Sequence, residues 1–333
     1  MVFLPRKKHK GSHPRFLAQA VKERQKRSSG APLVSVVMSV FNGEKYLHES
    51  INSILQQTFT DFEFIIVDDG STDNTCRIIQ SYDDPRIVLI SRANKGITVS
   101  LNEAIYSARG IYIARQDADD ISHPARLQAE VFFLSNNPKY VAIGSWFEEF
   151  SEGGSLRINR TPVTDALVRL RLVWGTCFGN GSVMFVRQKA IDAGLYRQDM
   201  WLAEDYELWT RLASYGSMAN LPKVLFRYRI HAESASQKHS FKLQQIAKEI
   251  GLSYASRYRR NDPATTGDDV KSIAEAGPEY QKQVIDEMKR EVLRLRNYPE
   301  VKKDFLRYLR LLSPKTWLKT RWRLLTTFRP SSG

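Results

Sequence analysis

The stretch LVSVVMSVFNGEKYLHESINSILQQTFTDFEFIIVDDGS (residues 33–71) decides the fold of this chain. It opens with a β-branched apolar run that stops at the turn Asn42-Gly43, and this pattern predicts a buried strand. Apolar side chains then recur at helical spacing over residues 44–58, and a second apolar run over residues 62–71 ends in two acids. A strand, a helix and a strand in this order predict a βαβ unit.

The same alternation continues along the chain. Residues 72–82 predict a helix opened by an Asp/Thr cap, with Asp69 as a further candidate to cap it. Strands are expected at 86–91 and 111–116, and a helix at 96–108. Four such units with continuous apolar strands predict an α/β fold in which helices cover both faces of a parallel sheet.

The second half of the chain is expected to extend this sheet rather than to start a new repeat. Helices are predicted at 123–137, 164–174 and 202–216, and strands at 140–150, 181–187 and 221–230. From about residue 237 the pattern is helical and charged, with a break expected near residues 261–279.

The basic excess lies in the two tails of the 333-residue chain. Residues 1–30 carry nine Lys/Arg and one Glu, residues 310–333 carry six Lys/Arg and no acid, and the formal net charge is +14. The region between them is formally neutral. Basic tails on a neutral body suggest a polyanionic surface as partner, either anionic lipid or nucleic acid. For the basic tail 1–31, a flexible solubilising segment is the alternative.

The C-terminal stretch SPKTWLKTRWRLLTTFRP (313–330) is predicted to form a basic amphipathic helix. Its aromatic and leucine side chains share one face, and Lys315, Lys319 and Arg323 lie opposite. This composition is typical of a helix that lies in a membrane interface. Docking on the body of the protein or on a second subunit is the alternative.

The cellular setting follows from what the sequence does not contain. No stretch approaches the ~20 uninterrupted apolar residues that cross a bilayer, and the N-terminus does not have the order of a secretory signal. The two cysteines, Cys76 and Cys177, have no metal-type spacing. We therefore expect a reduced, cytoplasmic protein that is peripheral at the inner face of the cell membrane.

Acidic side chains end two of the predicted strands. The four strand ends carry FNGE (41–44), DDGS (68–71), SRANKG (91–96) and QDADD (116–120). One Asp pair alone is better explained by a solvated turn or a helix cap than by a ligand site. Because the carboxyl ends of parallel strands form the ligand-binding edge of such sheets, two pairs at equivalent positions favour a site.

Carboxylates gathered in this way suit a hard divalent cation, Mn²⁺ or Mg²⁺, shared with substrate phosphates. The chain has neither a GxxxxGK loop nor a GxGxxG motif, so a P-loop ATPase and a dinucleotide enzyme are not supported. An aspartyl-phosphate phosphatase normally has a small hydroxyl residue after its acids, where this chain has Ile121. The remaining candidate ligand is a nucleotide-sugar.

The segments VSVVMSVFNGEKYLHESINSILQQTFTDFEFIIVDDGSTDNT, NKGITVSLNEAI and QDADD together resemble the family-2 inverting glycosyltransferases of the bacterial polysaccharide type. The resemblance is strong over about residues 32–145 and looser up to about residue 236. It implies the GT-A fold, Rossmann-like with a mostly parallel central sheet flanked by helices. It also implies a catalytic domain at 32–236, divided into a nucleotide-binding half, 32–121, and an acceptor half, 122–236. A helical C-terminal region follows at 237–333.

The resemblance places the donor nucleotide-sugar on the first half of the chain. The residues it implies as donor contacts are Val40, Phe41, Asn42, Glu44, Asp68, Asn94, Gly96, Asp117, Asp120 and Glu204. Asp68 would bind the base and Asp117 the ribose, while Asp119 would hold the metal ion, with His231 as a further ligand. Glu44 as a first-turn helix acid, Asn94 as a turn residue and His231 as a structural residue are the alternatives.

The resemblance makes Asp205, in WLAEDYELW (201–209), the base that removes the acceptor hydroxyl proton. A positioned carboxylate helps because an alcohol is a poor nucleophile near neutral pH. The alternative is that Glu204 and Asp205 only favour the dipole of the helix that they open. The Gln-x-x-Arg-Trp motif of processive synthases is absent after this segment, which argues for a single-addition transferase.

The resulting hypothesis is a metal-dependent inverting hexosyltransferase that moves one sugar, expected to come from a UDP-sugar, to a hydroxyl acceptor in surface polysaccharide or glycan assembly. Its expected partners are the donor, a glycan or lipid-linked acceptor and an anionic membrane surface; self-association is left open and nucleic acid is not expected. The alternatives are a sugar-nucleotide pyrophosphorylase and a non-enzymatic polyanion-binding protein. The first lacks its Gly-rich phosphate loop, and the second is disfavoured by acidic strand ends.

Overall fold

The computed structural model of the chain describes residues 30–173, 175–232, 234 and 239–261. The first half contains β1 (Val34–Val40), α1 (Leu47–Leu55), β2 (Phe62–Asp68), α2 (Thr75–Gln80), β3 (Ile87–Ser91), α3 (Ile97–Ser107) and β4 (Tyr112–Arg115). All four predicted strands are present, and the helices are shorter than the sequence periodicity indicated, most of all α1 and α2. The two basic tails, the amphipathic C-terminal stretch and the break near residues 261–279 lie outside the described residues.

The second half continues the alternation with additional short elements. It contains β5 (Ile121–Ser122), α4 (Arg126–Asn136), β6 (Tyr140–Ser151), β7 (Gly154–Asn159), α5 (Asp165–Arg171), β8 (Met184–Val186), α6 (Arg187–Asp192), α7 (Glu204–Leu212), β9 (Ser217–Arg229) and α8 (Ser240–Asn261). The sequence did not predict β5, β7 or α6. Strand β5 has two residues, α6 has six, and β7 is an exposed edge strand without an apolar run.

The strands form one nine-stranded sheet in the order β3-β2-β1-β4-β8-β6-β9-β5, with β7 paired to β6. Strands β3, β2, β1 and β4 are parallel neighbours, as are β6 and β9. Strand β8 joins the two halves by pairing antiparallel to both β4 and β6. The expected α/β fold with helices against a central sheet is confirmed, and the second half extends the first sheet as expected.

Alternate residues of the buried strands face opposite cores. Val37 and Ile65 pack on one face with Leu101 of α3, whereas Val36 and Phe64 pack on the other face with α1 and α4. Both sides of these strands are buried, which explains why they have continuous apolar runs rather than alternation. Burying one such side chain stabilises the fold by about 1.5–3 kcal/mol relative to leaving it exposed.

Helix α8 packs against the helix that opens with the Glu204-Asp205 pair. Ile250 and Tyr254 belong to the same core as α7. At Gly251 a β-carbon would overlap the Val173 carbonyl oxygen and lie 3.0 Å from Tyr206 Oη, so only glycine permits this approach. Among the described residues, no helix is both long enough and apolar enough to cross a membrane.

Candidate active site

The register of the sheet brings three strand ends together at one edge. Val40 of β1 lies beside Asp68 of β2, and Asp68 lies beside Ser91 of β3. Strand β4 ends at Arg115, which lies opposite Val37, before β1 reaches its end at Val40. The loop after β4 therefore runs along the same edge. This edge therefore collects the residues that the sequence placed at the ends of the strands.

The loop after β1 is tied to the loop after β2. Asn42, which has a φ of 52°, accepts a hydrogen bond at Oδ1 from the backbone N–H of Thr72 (2.8 Å). Glu44 accepts hydrogen bonds from the backbone N–H (2.9 Å) and Nδ2 (2.8 Å) of Asn74. Glu44 lies before α1 and its carboxylate binds the start of α2, so it is not a first-turn acid of its own helix. The two loops form one rim of the edge.

The two remaining donor candidates of this loop differ in exposure. The Val40 side chain is buried in the core, and its carbonyl accepts a hydrogen bond from the Asp69 N–H (2.8 Å). Phe41 is 52% exposed, so its ring is free to contact a ligand at the edge.

Asp68 is buried at the centre of the edge. Its Oδ1 accepts a hydrogen bond from the Ser71 N–H (3.0 Å), and its Oδ2 accepts one from Ser91 Oγ (3.2 Å). Both carboxylate oxygens thus have partners inside the protein, and each retains a lone pair for a further donor.

The prediction that Asp69 caps α2 is wrong. Its carboxylate accepts hydrogen bonds from the N–H groups of Lys95 and Gly96 (2.9 Å each) and pairs with Arg92, so it organises the loop that leads into α3. Burial raises the pKa of Asp69, but the Lys95 N–H and Arg92 outweigh it and hold that pKa below its usual value. The N–H of Thr75 at the start of α2 is bound by Asp73 instead (2.9 Å).

Asn94 and Gly96 lie exposed at the rim of the site. Gly96 has a φ of 90°, and a β-carbon on Gly70 would come within 2.6 Å of the Asn94 nitrogen. The backbones of the loops after β2 and β3 therefore lie in direct contact. Asn94 and Gly96 follow β3 at the same edge of the sheet as Asp68.

A buried polar network shapes the aspartate loop, residues 117–120. The Gln116 side-chain amide donates hydrogen bonds to the carbonyls of Asp117 (3.1 Å) and Asp120 (2.9 Å), which closes the loop. Beneath it, the buried guanidinium of Arg126 donates to the Arg115 carbonyl (2.6 Å) and to Ser122 Oγ (2.7 Å). No motif in the sequence pointed to the roles of Gln116 and Arg126.

The three aspartate side chains of this loop have three different partners. Asp117 Oδ1 lies 2.8 Å from Arg115 Nη2, and Asp119 Oδ2 lies 2.8 Å from His231 Nε2. Asp120 Oδ1 accepts a hydrogen bond from the Arg229 N–H (2.7 Å). These separate contacts offset only part of the mutual repulsion of the carboxylates, which still contributes to raising the pKa of Asp117 and of Asp120.

Asp120 differs from its neighbours because it is fully buried. Its Oδ2 has no hydrogen-bond partner among the described residues. Burial, followed by the negative charges of Asp119 and Asp117, raises the pKa of Asp120 well above its usual value. Its carboxylate binds the backbone at the end of β9, so in this structure Asp120 ties the aspartate loop to that strand.

Arg229 holds the aspartate loop from the other side. Its Nε donates to the Asp119 carbonyl (2.8 Å), and its guanidinium lies over the rings of Tyr46 (4.2 Å) and Phe150 (4.5 Å) and pairs with Glu49. Arg229 lies two residues before His231, so the end of β9 leads from a support of the loop to a candidate metal ligand.

Asp119 and His231 form a pair that fits a divalent ion. Both side chains are partly exposed. The carboxylate oxygen suits either Mn²⁺ or Mg²⁺, and the imidazole nitrogen favours Mn²⁺, the softer of the two. Within the described part of the chain, no group of three or more His, Cys, Asp or Glu residues could hold a metal ion. Two protein ligands suffice when substrate phosphates supply oxygens, as is usual for Mg²⁺.

Glu204 and Asp205 form the first turn of α7. Burial, partly offset by the Tyr206 N–H (2.6 Å to Oδ1) and by Arg115, raises the pKa of Asp205 to about 6. Burial and the charge of Asp205 raise the pKa of Glu204 to about 7. The negative charge of Asp117 contributes to raising the pKa of both acids, so the acids of the two halves of the chain act on each other electrostatically.

The sheet carries the aspartate loop at its carboxyl edge, and a second acidic pair opens α7. This is the arrangement of the GT-A fold, the fold of a class of glycosyltransferases. Residues 35–195 match the family described as glycosyl transferase family 2. The chain belongs to this family. Membership favours a transferase over both the pyrophosphorylase and the polyanion-binding alternatives.

Relatives of the chain match about two thirds of its length. An uncharacterized glycosyltransferase from Haemophilus influenzae is 32% identical over 66% of this chain and 72% of its own length. The glycosyltransferase EpsE of Bacillus subtilis is 35% identical over 64% of this chain and 78% of its own. The amylovoran biosynthesis glycosyltransferase AmsE of Erwinia amylovora is 28% identical over 66% of this chain and 84% of its own.

Two solved structures share the fold. The Staphylococcus aureus TarS 1–349 complex with UDP-GlcNAc has a TM-score of 0.54 at 17% identity and covers 87% of this chain and 86% of its own. The mannosyltransferase PcManGT of Pyrobaculum calidifontis, in complex with GDP-Man and Mn²⁺, has a TM-score of 0.50 at 16% identity and covers 95% of each chain.

Proposed function

We propose that this glycosyltransferase is metal-dependent and inverting, and that it moves one sugar from a UDP-sugar to a hydroxyl group of a growing surface polysaccharide. The observation that supports the proposal is the aspartate loop at the carboxyl edge of the sheet, whose Asp117 contributes to raising the pKa of Asp205 on α7. A relative named for amylovoran biosynthesis supports the pathway class, and complexes of fold neighbours with UDP-GlcNAc or GDP-Man support the donor class.

Asp205 is the base of the proposed reaction. With a pKa of about 6, it is ionised at neutral pH and close enough to neutrality to accept a proton efficiently. The acceptor oxygen forms a bond to the anomeric carbon while the bond from that carbon to the diphosphate oxygen breaks, and the acceptor proton passes to Asp205. Attack opposite the leaving group inverts the anomeric configuration.

The donor is held by the other end of the site. Phe41 would contact the base, Asp68 would accept a hydrogen bond from it, and Asn94 and Gly96 would line the phosphates. Asp117 would bind the ribose. A Mn²⁺ or Mg²⁺ ion held by Asp119 and His231 would neutralise the charge that grows on the departing diphosphate.

Calorimetry with UDP and Mn²⁺ tests the donor half of the proposal. We expect the full chain to bind UDP in the presence of Mn²⁺ and both Asp119→Ala and His231→Ala to weaken binding at least tenfold. Asp83→Ala, which removes an exposed acid before the amino end of β3 rather than at its carboxyl end, is the matched control and should bind normally. Equal binding by wild type and Asp119→Ala would contradict the metal assignment.

A sugar-nucleotide panel tests the reaction itself. Once a donor is found by its hydrolysis to UDP, Asp205→Asn should retain UDP binding and lose at least about a hundredfold in turnover, because general-base catalysis contributes this much. Full turnover in Asp205→Asn would refute the assignment of the base.

Membrane association is part of the same proposal. The basic tail at 310–333 would bind anionic lipid, which places the transferase at the cytoplasmic face of the membrane beside a lipid-linked acceptor. Flotation of the full chain with anionic vesicles, compared with a chain lacking residues 310–333, tests this; equal flotation of both would contradict it.

A further inference from the structure

Arg115 is a buried cation between the two halves of the site. It ends β4, and its side chain is fully buried. Its Nη2 lies 2.8 Å from Asp117 Oδ1, and its Nη1 donates a long hydrogen bond (3.4 Å) to the Gln116 carbonyl. Its Nε has no hydrogen-bond partner among the described residues. Core packing alone would favour an apolar side chain at this position of β4, so it does not explain the arginine.

The guanidinium also acts on the acids of α7. Its electrostatic partners beyond Asp117 are Tyr196, Glu204 and Asp205. Tyr196 is buried as well, and its hydroxyl has no hydrogen-bond partner within the described part of the chain. Because little water screens these groups, charges interact more strongly here than at the protein surface.

Burial makes this cation dependent on its carboxylates. An arginine taken out of water loses its hydration, and only close anions can offset that loss. One carboxylate comes from the aspartate loop and two come from α7, elements that lie about 90 residues apart in the chain. The cation therefore favours an arrangement in which both elements stay close to it.

We propose that Arg115 is a positioning residue of the transfer reaction, whose buried guanidinium holds Asp117 on the donor side and the Glu204–Asp205 pair on the acceptor side as one electrostatic unit. This inference rests on the proposed function for the roles of Asp117 and Asp205. Arg115 itself need not touch either substrate. Its effect is to keep the base ionised and directed towards the donor.

The groups around Asp205 show why one cation matters. The titratable and charged groups that act on Asp205 or respond to it are Arg115, Asp117, Cys177, Tyr196 and Glu204. Arg171 acts on Cys177 in this set, whereas Arg115 acts on Asp205 directly and lowers its pKa against the effect of burial. Removal of Arg115 should raise the pH at which Asp205 ionises.

The test follows the Asp205 carboxyl by NMR in the full chain labelled with ¹³C-aspartate, with the signal assigned from Asp205→Asn. In Arg115→Gln the midpoint of Asp205 should rise by at least about one pH unit, the usual effect of removing one close opposite charge. Arg115→Lys keeps the charge and should stay within about 0.3 unit of wild type. An unchanged midpoint in a folded Arg115→Gln, or an equal rise in Arg115→Lys, overturns the proposal.

Arg126→Gln is the control for the loss of a buried charge beneath the same loop. Arg126 binds the Arg115 carbonyl, Gln116, Ser122 and Glu130, and its charge acts on Asp117. The Arg126→Gln variant should leave the Asp205 midpoint unchanged. Where Arg115→Gln does not fold, the double variant Arg115→Gln/Asp117→Asn replaces the ion pair with a neutral pair, a change that proteins often tolerate.

In the double variant the Asp205 midpoint should lie at least about one unit above that of Asp117→Asn alone, which isolates the contribution of Arg115. Equal midpoints overturn the proposal. The NMR readout needs neither donor nor turnover, so it remains decisive even where wild type binds no UDP with Mn²⁺, the result that contradicts the proposed function.

Discussion

Gly181→Ala should disturb the aspartate loop from a distance. Gly181 lies in the short turn Asn180–Ser182 and is buried. A β-carbon there would overlap Phe226 Cζ, approach Phe226 Cε1 to 3.0 Å and lie 3.1 Å from Asp117 Oδ2. Phe226 is itself buried on β9, and the guanidinium of Arg126 lies 5.4 Å from its ring, so the ring cannot move without moving the support of the loop.

The size of the effect follows from this crowding. One extra methyl group in a well-packed core costs about 1–3 kcal/mol. For a body of this size, that free energy lowers the melting temperature by about 2–4 °C for each kcal/mol. The same displacement shifts the carboxylate of Asp117, so UDP binding in the presence of Mn²⁺ should weaken severalfold.

Differential scanning calorimetry and UDP titration measure both effects. Gly153→Ala is the matched control, because a β-carbon at Gly153 meets only Ser151 Oγ at 3.6 Å on the exposed β6–β7 turn. A Gly181→Ala protein with the melting temperature and the UDP affinity of wild type would show that the turn relaxes freely, and would refute the reasoning.

Three further predictions rest on other parts of the site. Since Asp205 must be ionised to act and its pKa is about 6, kcat/KM at saturating Mn²⁺ should fall about tenfold for each pH unit below 6; a constant value down to pH 5 would contradict the assignment. Asp69 has a pKa held below its usual value, so its stabilisation is present above pH ~4 and is lost as the pH falls through the lowered value; Asp69→Asn should cost about 1–3 kcal/mol in urea unfolding at pH 7, with the difference from wild type shrinking in acid. Gly251→Ala should lower the free energy of unfolding by about 1–3 kcal/mol, because its methyl group meets the Val173 carbonyl; an unchanged urea midpoint would show that α8 shifts without cost.

The sequence predicted the central strands well because of how they are buried. Strands β1, β2 and β4 lie between two layers of helices, so they appear as continuous apolar runs bounded by turns. Short elements do not carry enough residues to show a period, which is why β5 and α6 were not predicted.

The candidate site was predictable in position more than in detail. Parallel strands end at one edge, so the order of strand and helix alone brings Asp68 and the aspartate loop together. The partner of Asp69 depends on which loops meet in space. Its closeness in sequence to α2 predicted a cap for that helix, whereas its carboxylate binds the loop before α3. Arg229 contacts Asp120 across 109 residues, a separation that no local pattern reports.

The packing of α8 sets the smallest piece of the chain that can support transfer. Helix α8 follows the last strand of the sheet, yet its Ile250 and Tyr254 are buried in the same core as the apolar side chains of α7. A recombinant fragment that stops at residue 236 would lack both residues and would expose the side chains of α7 that they cover. Fragments intended for enzymology should therefore extend through residue 261, beyond the stretch that the family resemblance covers.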